Sequence, residues 1–195
     1  MRVLTISIGK VAPLPGVDHP EFTVVPSAIH KLPVSQIANP KPILIGVLGL
    51  DGDEQANLSV HGGIEKAVYA YPSEHYDFWN TLLSQHSQQT IVLNHGALGE
   101  NLTITGLLEA DVYIGDRWCI GTVELAVVKL REPCFKFNAK LRFNGAAKAM
   151  LKNAYSGWYL RVLKPGLITA GDLIEVTPGP REISIAQQNK LLMNK

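Results

Sequence analysis

Short apolar runs, many of them alternating with polar residues, recur along most of the chain and are bounded by Gly, Pro, Asp or Asn. Such runs are typical of β-strands. The predicted strands are Val3–Ile8, Ile43–Leu48, Lys66–Tyr71, Asp111–Trp118, Val123–Val128, Trp158–Leu163 and Leu173–Thr177. Turns at this spacing favour a mainly β fold with a few short helices, either a closed β-barrel or a sandwich, over alternating strands and helices.

Helical patterns are few. The sequence predicts a helix over residues 74–83 with Ser73 as its N-cap, and a second over 145–154. Residues 181–195 stand apart from a predicted barrel domain over 1–180, and Ser184 is suited to cap a further helix there. A helix that short must pack on something. The helix packs either on the barrel or on a neighbouring chain. Because Leu191 and Leu192 form an adhesive stripe at the chain end, packing on a second copy, in a homodimer, is favoured.

Composition narrows the possible partners. Lys and Arg number 18 against 17 Asp and Glu, so the net charge of +1 predicts neither a nucleic-acid nor a membrane partner. No apolar run is long enough to span a bilayer. The two cysteines, Cys119 and Cys134, form neither a CxxC motif nor a disulfide framework, so a reducing, cytoplasmic location is expected.

Cys134 is the leading candidate for chemistry. It follows Pro133 and lies between Arg131 and Lys136, and nearby cations favour the thiolate, which ligates metals. A thiolate suits a soft metal. Cys119 lies in an apolar run and is expected to be a buried structural residue.

Three other phrases carry polar side chains beside glycines or along a strand. His61-Gly62-Gly63 with Lys66 can cradle a small anion, although a tight hairpin turn needs the glycines equally. Glu100-Asn101 can hold a ligand or bond its own backbone. Arg161 can meet an anion or be a solvated strand residue.

Taken in order, several phrases resemble the motif set of MOSC-domain proteins, in particular the YiiM-like branch, over about residues 1–180. These phrases are Asp53-x-Gln55, His61-Gly62-Gly63-x-x-Lys66-Ala67-Val68-Tyr69, Gly99-Glu100-Asn101-Leu102, Gly115-Asp116-Arg117, Arg131-x-Pro133-Cys134-x-Lys136, Gly157-Trp158-Tyr159-x-Arg161-Val162 and Gly171-Asp172. Two positions depart from the pattern: Phe135 stands where the family often has Trp, and Asn57 where it often has Asp.

The resemblance implies a β-barrel of the pyruvate-kinase type that binds the molybdenum cofactor, molybdopterin, with Cys134 ligating molybdenum. It also implies reduction of N-hydroxylated substrates, amidoximes and bases such as 6-hydroxylaminopurine, in a detoxifying role, and a three-helix C-terminal region that begins near residue 181. The expected cofactor-binding residues are His61, Gly62, Gly63, Lys66, Asn101, Arg131, Lys136 and Arg161.

Reduction of N–OH to N–H needs two electrons and two protons. The expected proton donors are Glu100, Asp116 and His61, which the sequence does not separate. Two cysteines cannot hold an iron–sulfur cluster that needs four, so a separate electron-donor protein is expected. The alternatives are a persulfide carrier that uses Cys134, or a module that stores the cofactor or binds a partner.

Overall fold

The structure is a computed structural model that describes residues 1–15, 25–57 and 62–194. Strands dominate it, with four short α-helices. The strands are β1 (Arg2–Ile8), β2 (Ala12–Pro13), β3 (Pro26–Ser27), β4 (Leu32–Gln36), β5 (Ile43–Gly46), β6 (Gly49–Leu50), β7 (Val68–Pro72), β8 (Leu102–Thr105), β9 (Arg117–Ile120), β10 (Val123–Leu130), β11 (Trp158–Lys164), β12 (Gly166–Ile168) and β13 (Ile174–Thr177). The helices are α1 (Tyr76–Ser87), α2 (Phe135–Leu141), α3 (Ala146–Asn153) and α4 (Ile185–Met193). Two 3-10 turns, Ile64–Lys66 and Ser73–His75, precede β7 and α1.

Eight strands form one curled sheet in the order β13-β9-β10-β11-β7-β8-β1-β4. Its two edge strands, β13 and β4, are not paired with each other in the described part of the chain. The expected closed barrel is therefore wrong: the sheet is an open half-barrel. The start of β1 forms a few backbone hydrogen bonds with the turn before β13. Val3 N donates to the Asp172 carbonyl at 3.0 Å, and Gly171 N donates to the Val3 carbonyl at 2.8 Å.

Two apolar clusters support this sheet. In the larger one, the Trp118 and Trp158 rings meet edge to face with their centroids 5.7 Å apart, and neither ring is exposed. The smaller one includes Tyr71, Trp79 and Phe137 and joins α1, α2 and α3 to the sheet. The helices therefore have a fixed position beside β7, which matters for the cysteine that precedes α2.

Most predicted elements are confirmed, with two corrections. Residues 111–116 are not a strand, because the Asp116 carboxylate accepts from Tyr113 N at 3.2 Å and from Gly179 N at 2.8 Å and so holds a turn. Ser73 does not cap α1, since it opens a 3-10 turn and the α-helix begins at Tyr76. No helix of the described residues is long and apolar enough to cross a membrane.

The C-terminal helix forms as expected, but it packs on its own chain. The Ser184 hydroxyl accepts from Gln187 N while the Gln187 side chain accepts from Ser184 N, which is a capping box. Ile185 is fully buried in the main cluster, and Leu192 is partly buried against it. The chain's own sheet therefore covers the buried side of this helix, while Leu191 alone of the two leucines stays exposed. The expected homodimer stays a prediction. The domain boundary at residue 180 stays a prediction.

A candidate cofactor cleft around Cys134

A cleft that is partly open to solvent lies where β7 and β8 begin and β10 ends, beside α2. Sites for small ligands are typically concave and lined by a few convergent polar groups. Its described lining consists of Ser27, Ala28, Ile29, Lys31, Asp53, Glu54, Gln55, Ala56, Lys66, Tyr69, Gly99, Asn101, Arg131, Glu132, Cys134, Lys136 and Tyr159.

Cys134 reaches the cleft from the residue that precedes α2. Its backbone is extended (φ −122°, ψ 179°), and its carbonyl accepts from Phe137 N at 2.9 Å. The side chain makes no capping hydrogen bond to the helix. The half-buried thiol is therefore not used in building the helix and faces the polar residues of the cleft.

Arg131 is a buried cation in the same wall. Its guanidinium carbon lies 5.5 Å from the centroid of the Tyr69 ring, and Nη1 lies 3.4 Å from Met150 Sδ. Burial lowers the pKa of Arg131, but Tyr69, Tyr159 and Cys134 more than offset it, so this pKa is raised. No carboxylate pairs with Arg131 in the described part of the chain. Since buried charges are normally paired, this guanidinium is suited to meet an anion.

Two lysines add to this positive wall. The ammonium of Lys66 lies 5.9 Å from the centroid of the Tyr159 ring. Burial lowers the pKa of Lys66, as does repulsion from Lys129, while Glu132 opposes both. Lys136 donates to the Pro26 carbonyl at 2.9 Å. The structure thus brings Lys66, Arg131 and Lys136 to the cleft that holds Cys134.

A buried polar group closes the other side of the cleft. Lys31 contacts both oxygens of Asp53, at 2.6 and 2.7 Å. Asn101 Nδ2 donates to Asp53 Oδ2 at 2.9 Å, and its Oδ1 accepts from Tyr69 N at 3.1 Å. Asn101 is therefore placed in the cleft, as expected from the sequence, but both ends of its amide already have partners.

The two carboxylates expected to donate protons lie elsewhere. Glu100 is fully buried outside the cleft lining and accepts from Tyr76 Oη, Gly96 N, Leu98 N and Thr103 Oγ1. Asp116 is equally buried and holds the turn described above, with Arg181 at 3.4 Å. Both assignments are corrected, because each carboxylate is enclosed by its own turn.

The glycine pair and Arg161 also differ from expectation. His61 lies outside the described residues. Gly63 N donates to Gln55 Oε1 at 2.9 Å, and Gly63 has φ +84°, which favours glycine. A Cβ at Gly62 would lie 2.2 Å from the same oxygen. Among the described residues, the glycine pair therefore packs closely against the side chain of Gln55.

Arg161 does not line the cleft. Its guanidinium pairs with Glu65 at 2.6 Å, and both side chains are exposed. The expectation that Arg161 holds the cofactor is therefore corrected, because it lies on the outer face of β11. Cys119 is corrected too: it is exposed on β9 and not buried, since the alternation of the strand buries its neighbours Trp118 and Ile120 instead.

Sequence reasoning missed several residues of the cleft, notably Lys31, Asp53, Tyr69 and Tyr159, although three of them stand within the quoted motifs. Lys31 carried no local signal, because a lone lysine before a strand is common. Among the described residues, no three His, Cys, Asp or Glu side chains come together to hold a metal. Among the described residues that line the cleft, Cys134 is the one thiol.

Comparison with known proteins agrees with this architecture. The MOSC domain family matches residues 57–175. Protein YiiM of Escherichia coli is 33% identical over 162 residues, which are 83% of this chain and 69% of that protein. Protein YflK of Bacillus subtilis is 37% identical over 142 residues, 72% of this chain and 62% of YflK. A protein of Gibberella moniliformis named "Reductase" is 37% identical over 140 residues, but these are 24% of its length.

Solved structures show the same fold. YiiM from Geobacillus stearothermophilus superposes with a TM-score of 0.73 and 31% identity, over 98% of this chain and 83% of the other. YiiM from Escherichia coli gives the same TM-score at 22% identity, over 100% and 79%. The chain therefore belongs to the MOSC-domain family, and its relatives of similar sequence and fold include the YiiM proteins.

Proposed function

We propose that this protein binds the molybdenum cofactor in the cleft and reduces N-hydroxylated compounds, with Cys134 as the protein ligand to molybdenum. The observation that carries the proposal is the placement of Cys134 in one cleft with Arg131, Lys66 and Lys136. The MOSC family and the relative named as a reductase support it. MOSC domains are associated with this cofactor in general.

The chemistry of the wall fits the proposed group. A cofactor that carries a phosphate and a thiophilic metal needs cations and a soft ligand close together. Arg131 supplies a buried positive charge without a carboxylate among the described residues, and Lys66 and Lys136 supply two more. A metal that brings a dithiolene needs few protein ligands, which suits a single cysteine.

Within this proposal, each side chain has a limited task. Cys134 would ligate the metal, and the bound cofactor would supply the electron pair that the reduction of N–OH requires. Arg131, Lys66 and Lys136 would hold the anionic groups of the cofactor, and the rings of Tyr69 and Tyr159 would shield them from water. The substrates proposed are amidoximes and hydroxylamino bases, and a separate protein would donate the electrons.

The deciding experiment measures molybdenum and pterin in protein purified from a host that makes the cofactor. Cys134→Ser should lose nearly all bound molybdenum and all reduction of 6-hydroxylaminopurine. Cys119→Ser is the matched control, because Cys119 is exposed on β9 and lies outside the cleft lining. It should retain both properties.

The alternatives give different results. A cofactor store would carry molybdenum and pterin without turning over any hydroxylamino substrate given a chemical reductant. A persulfide carrier would lack both and would release thiocyanate on treatment with cyanide. Full molybdenum content in Cys134→Ser would remove the proposed metal ligand.

A further inference from the structure

Lys31 is a buried ammonium in the cleft wall. It lies just before β4, and its side chain is 9% exposed. Its ion pair with Asp53 is tight, at 2.6 and 2.7 Å to the two carboxylate oxygens. A buried ion pair is by itself weak evidence for a contribution to stability, because desolvation offsets the attraction.

Asp53 fixes the position of this ammonium. Besides Lys31, its oxygens accept from Gly9 N at 2.6 Å and from Asn101 Nδ2 at 2.9 Å. These donors come from the end of β1 and the start of β8, so the carboxylate is anchored to the sheet on two sides. The Lys31 side chain is consequently held at one place in the cleft.

The ammonium has a donor left over. An ammonium has three N–H groups, and the two oxygens of Asp53 account for two of them. No other acceptor contacts Lys31 Nζ in the part of the chain that the structure describes. The remaining N–H is available to the space that this side chain lines.

The two carboxylates expected from the sequence and the two phenols of the wall are less suited as proton donors. Glu100 and Asp116 lie outside the cleft, as shown above. The Tyr69 hydroxyl donates to the Ser156 carbonyl at 2.8 Å, and burial raises its pKa well above the ordinary value. Burial also raises the pKa of Tyr159, although the charge of Arg131 acts to lower it. This phenol therefore holds its proton firmly.

We propose that Lys31 donates the proton to the leaving hydroxyl and that Asp53 is its positioning residue; this inference rests on the proposed function. As the N–O bond breaks, the Lys31 ammonium gives one proton to the departing oxygen, which leaves as water. The substrate nitrogen takes the second proton from solvent, and the electron pair originates in the separate electron-donor protein of the proposed function. Lys31, left as a neutral amine, regains its proton from solvent.

The surroundings of Lys31 suit this task. Burial lowers the pKa of Lys31, and Asp53 and then Glu100 act in the opposite direction without restoring it. A general acid works best when its pKa approaches the working pH. Turnover that needs the protonated amine should therefore fall as pH rises through the pKa of Lys31.

Lys31→Arg is the first test. Arginine keeps the positive charge and the pairing with Asp53, but a guanidinium does not release its proton near neutral pH. We expect kcat to fall about 100-fold, with molybdenum and pterin content unchanged and the alkaline limb of the pH profile absent. Lys164→Arg is the control, since Lys164 also faces a carboxylate, that of Glu124 at 3.7 Å, but is exposed outside the cleft. It should leave kcat and the profile as they are.

Asp53→Asn provides a second test. Its expected result would not appear if the ion pair between Lys31 and Asp53 were purely structural. Without the negative charge of Asp53 the pKa of Lys31 should fall further, so the alkaline limb should move to lower pH. Competitive acetylation of the purified protein, read for each lysine by mass spectrometry, measures the pKa of Lys31 without turnover. It should lie below the ordinary value of a lysine in the parent and decrease again in Asp53→Asn.

The outcomes separate this inference from the proposed function. A parent protein without molybdenum or reductase activity overturns the function itself. An active parent whose Lys31→Arg variant keeps its kcat within about three-fold, well short of what general-acid catalysis contributes, or keeps the alkaline limb, overturns only the role of Lys31. So does an acetylation profile in which Lys31 titrates at the ordinary value of a lysine.

Discussion

The guanidinium carbon of Arg131 lies 4.5 Å from the centroid of the Phe137 ring. Phe137 belongs to the first turn of α2, and Arg131 belongs to the segment that follows β10. The contact therefore joins the chain just before Cys134 to the chain just after it. Trp79 of α1 meets the same ring edge to face at 5.5 Å. The smaller apolar cluster therefore determines where the cation stands relative to the cysteine.

Phe137→Ala should lower the free energy of unfolding by about 3–5 kcal/mol, because it removes a fully buried ring. Urea denaturation measures the change. Phe135→Ala is the matched control: this ring is 43% exposed two residues earlier, so about 1 kcal/mol or less is expected. Equal losses in the two variants would contradict the packing described here.

Lys66→Ala and Arg161→Ala should differ in cofactor content. Lys66 lines the cleft, and a charge-assisted hydrogen bond to an anion contributes roughly 1.5–3 kcal/mol. Its loss should weaken binding about tenfold or more. Arg161 pairs with Glu65 on the outer face, so its removal should leave pterin and molybdenum content unchanged. A drop of occupancy in Arg161→Ala alone would place the anion site elsewhere.

His95 should make the fold lose stability on acidification. Its ring nitrogen bonds the Thr5 hydroxyl at 2.6 Å, and burial lowers its pKa below 6.5, although Glu100 opposes this. Between the folded pKa of His95 and pH 6.5, the unfolded chain binds a proton that the folded protein does not. Stability therefore falls as pH drops from 6.5 toward the folded pKa of His95.

The melting temperature followed between pH 8 and 5 tests this. His95→Asn keeps a polar contact for Thr5 but cannot titrate, so its curve should be flatter on the acid side than that of the parent. His86→Asn, at the exposed end of α1, serves as the control and should leave the slope unchanged. Parallel curves for parent and His95→Asn would exclude His95 as the source.

Ile185→Ala should cost about 2–5 kcal/mol of unfolding free energy, because Ile185 is fully buried against the sheet. Leu191→Ala, on the outer side of the same helix and 56% exposed, should cost no more than about 0.5 kcal/mol. Chemical denaturation compares them. Sedimentation of Leu191→Ala beside the parent also tests the homodimer, since a shift toward monomer would show that the exposed side joins two copies.

Local pattern was enough for much of the fold. The strands β1, β10, β11 and β13, the helix α3 and the Ser184 cap of α4 follow from alternation, helical composition and capping chemistry, which act over a few residues. The ordered motif set was also enough to identify the family. The seven-residue helix α2 was missed because it has no N-cap residue of the preferred types and follows directly on Pro133-Cys134.

The sequence by itself determined that the chain is mainly β and that Cys134 stands between two basic residues. Only the tertiary structure decided which side chains share that cleft. Glu100 and Asn101 are neighbours, yet one is enclosed by its turn and the other reaches Asp53. Lys31, Asp53 and Asn101 come from separate segments, and their meeting depends on how β1, β4 and β8 pair. Strand pairing is long-range, so no local pattern could predict that an open sheet would bring the Lys31–Asp53 pair to the cleft of Cys134.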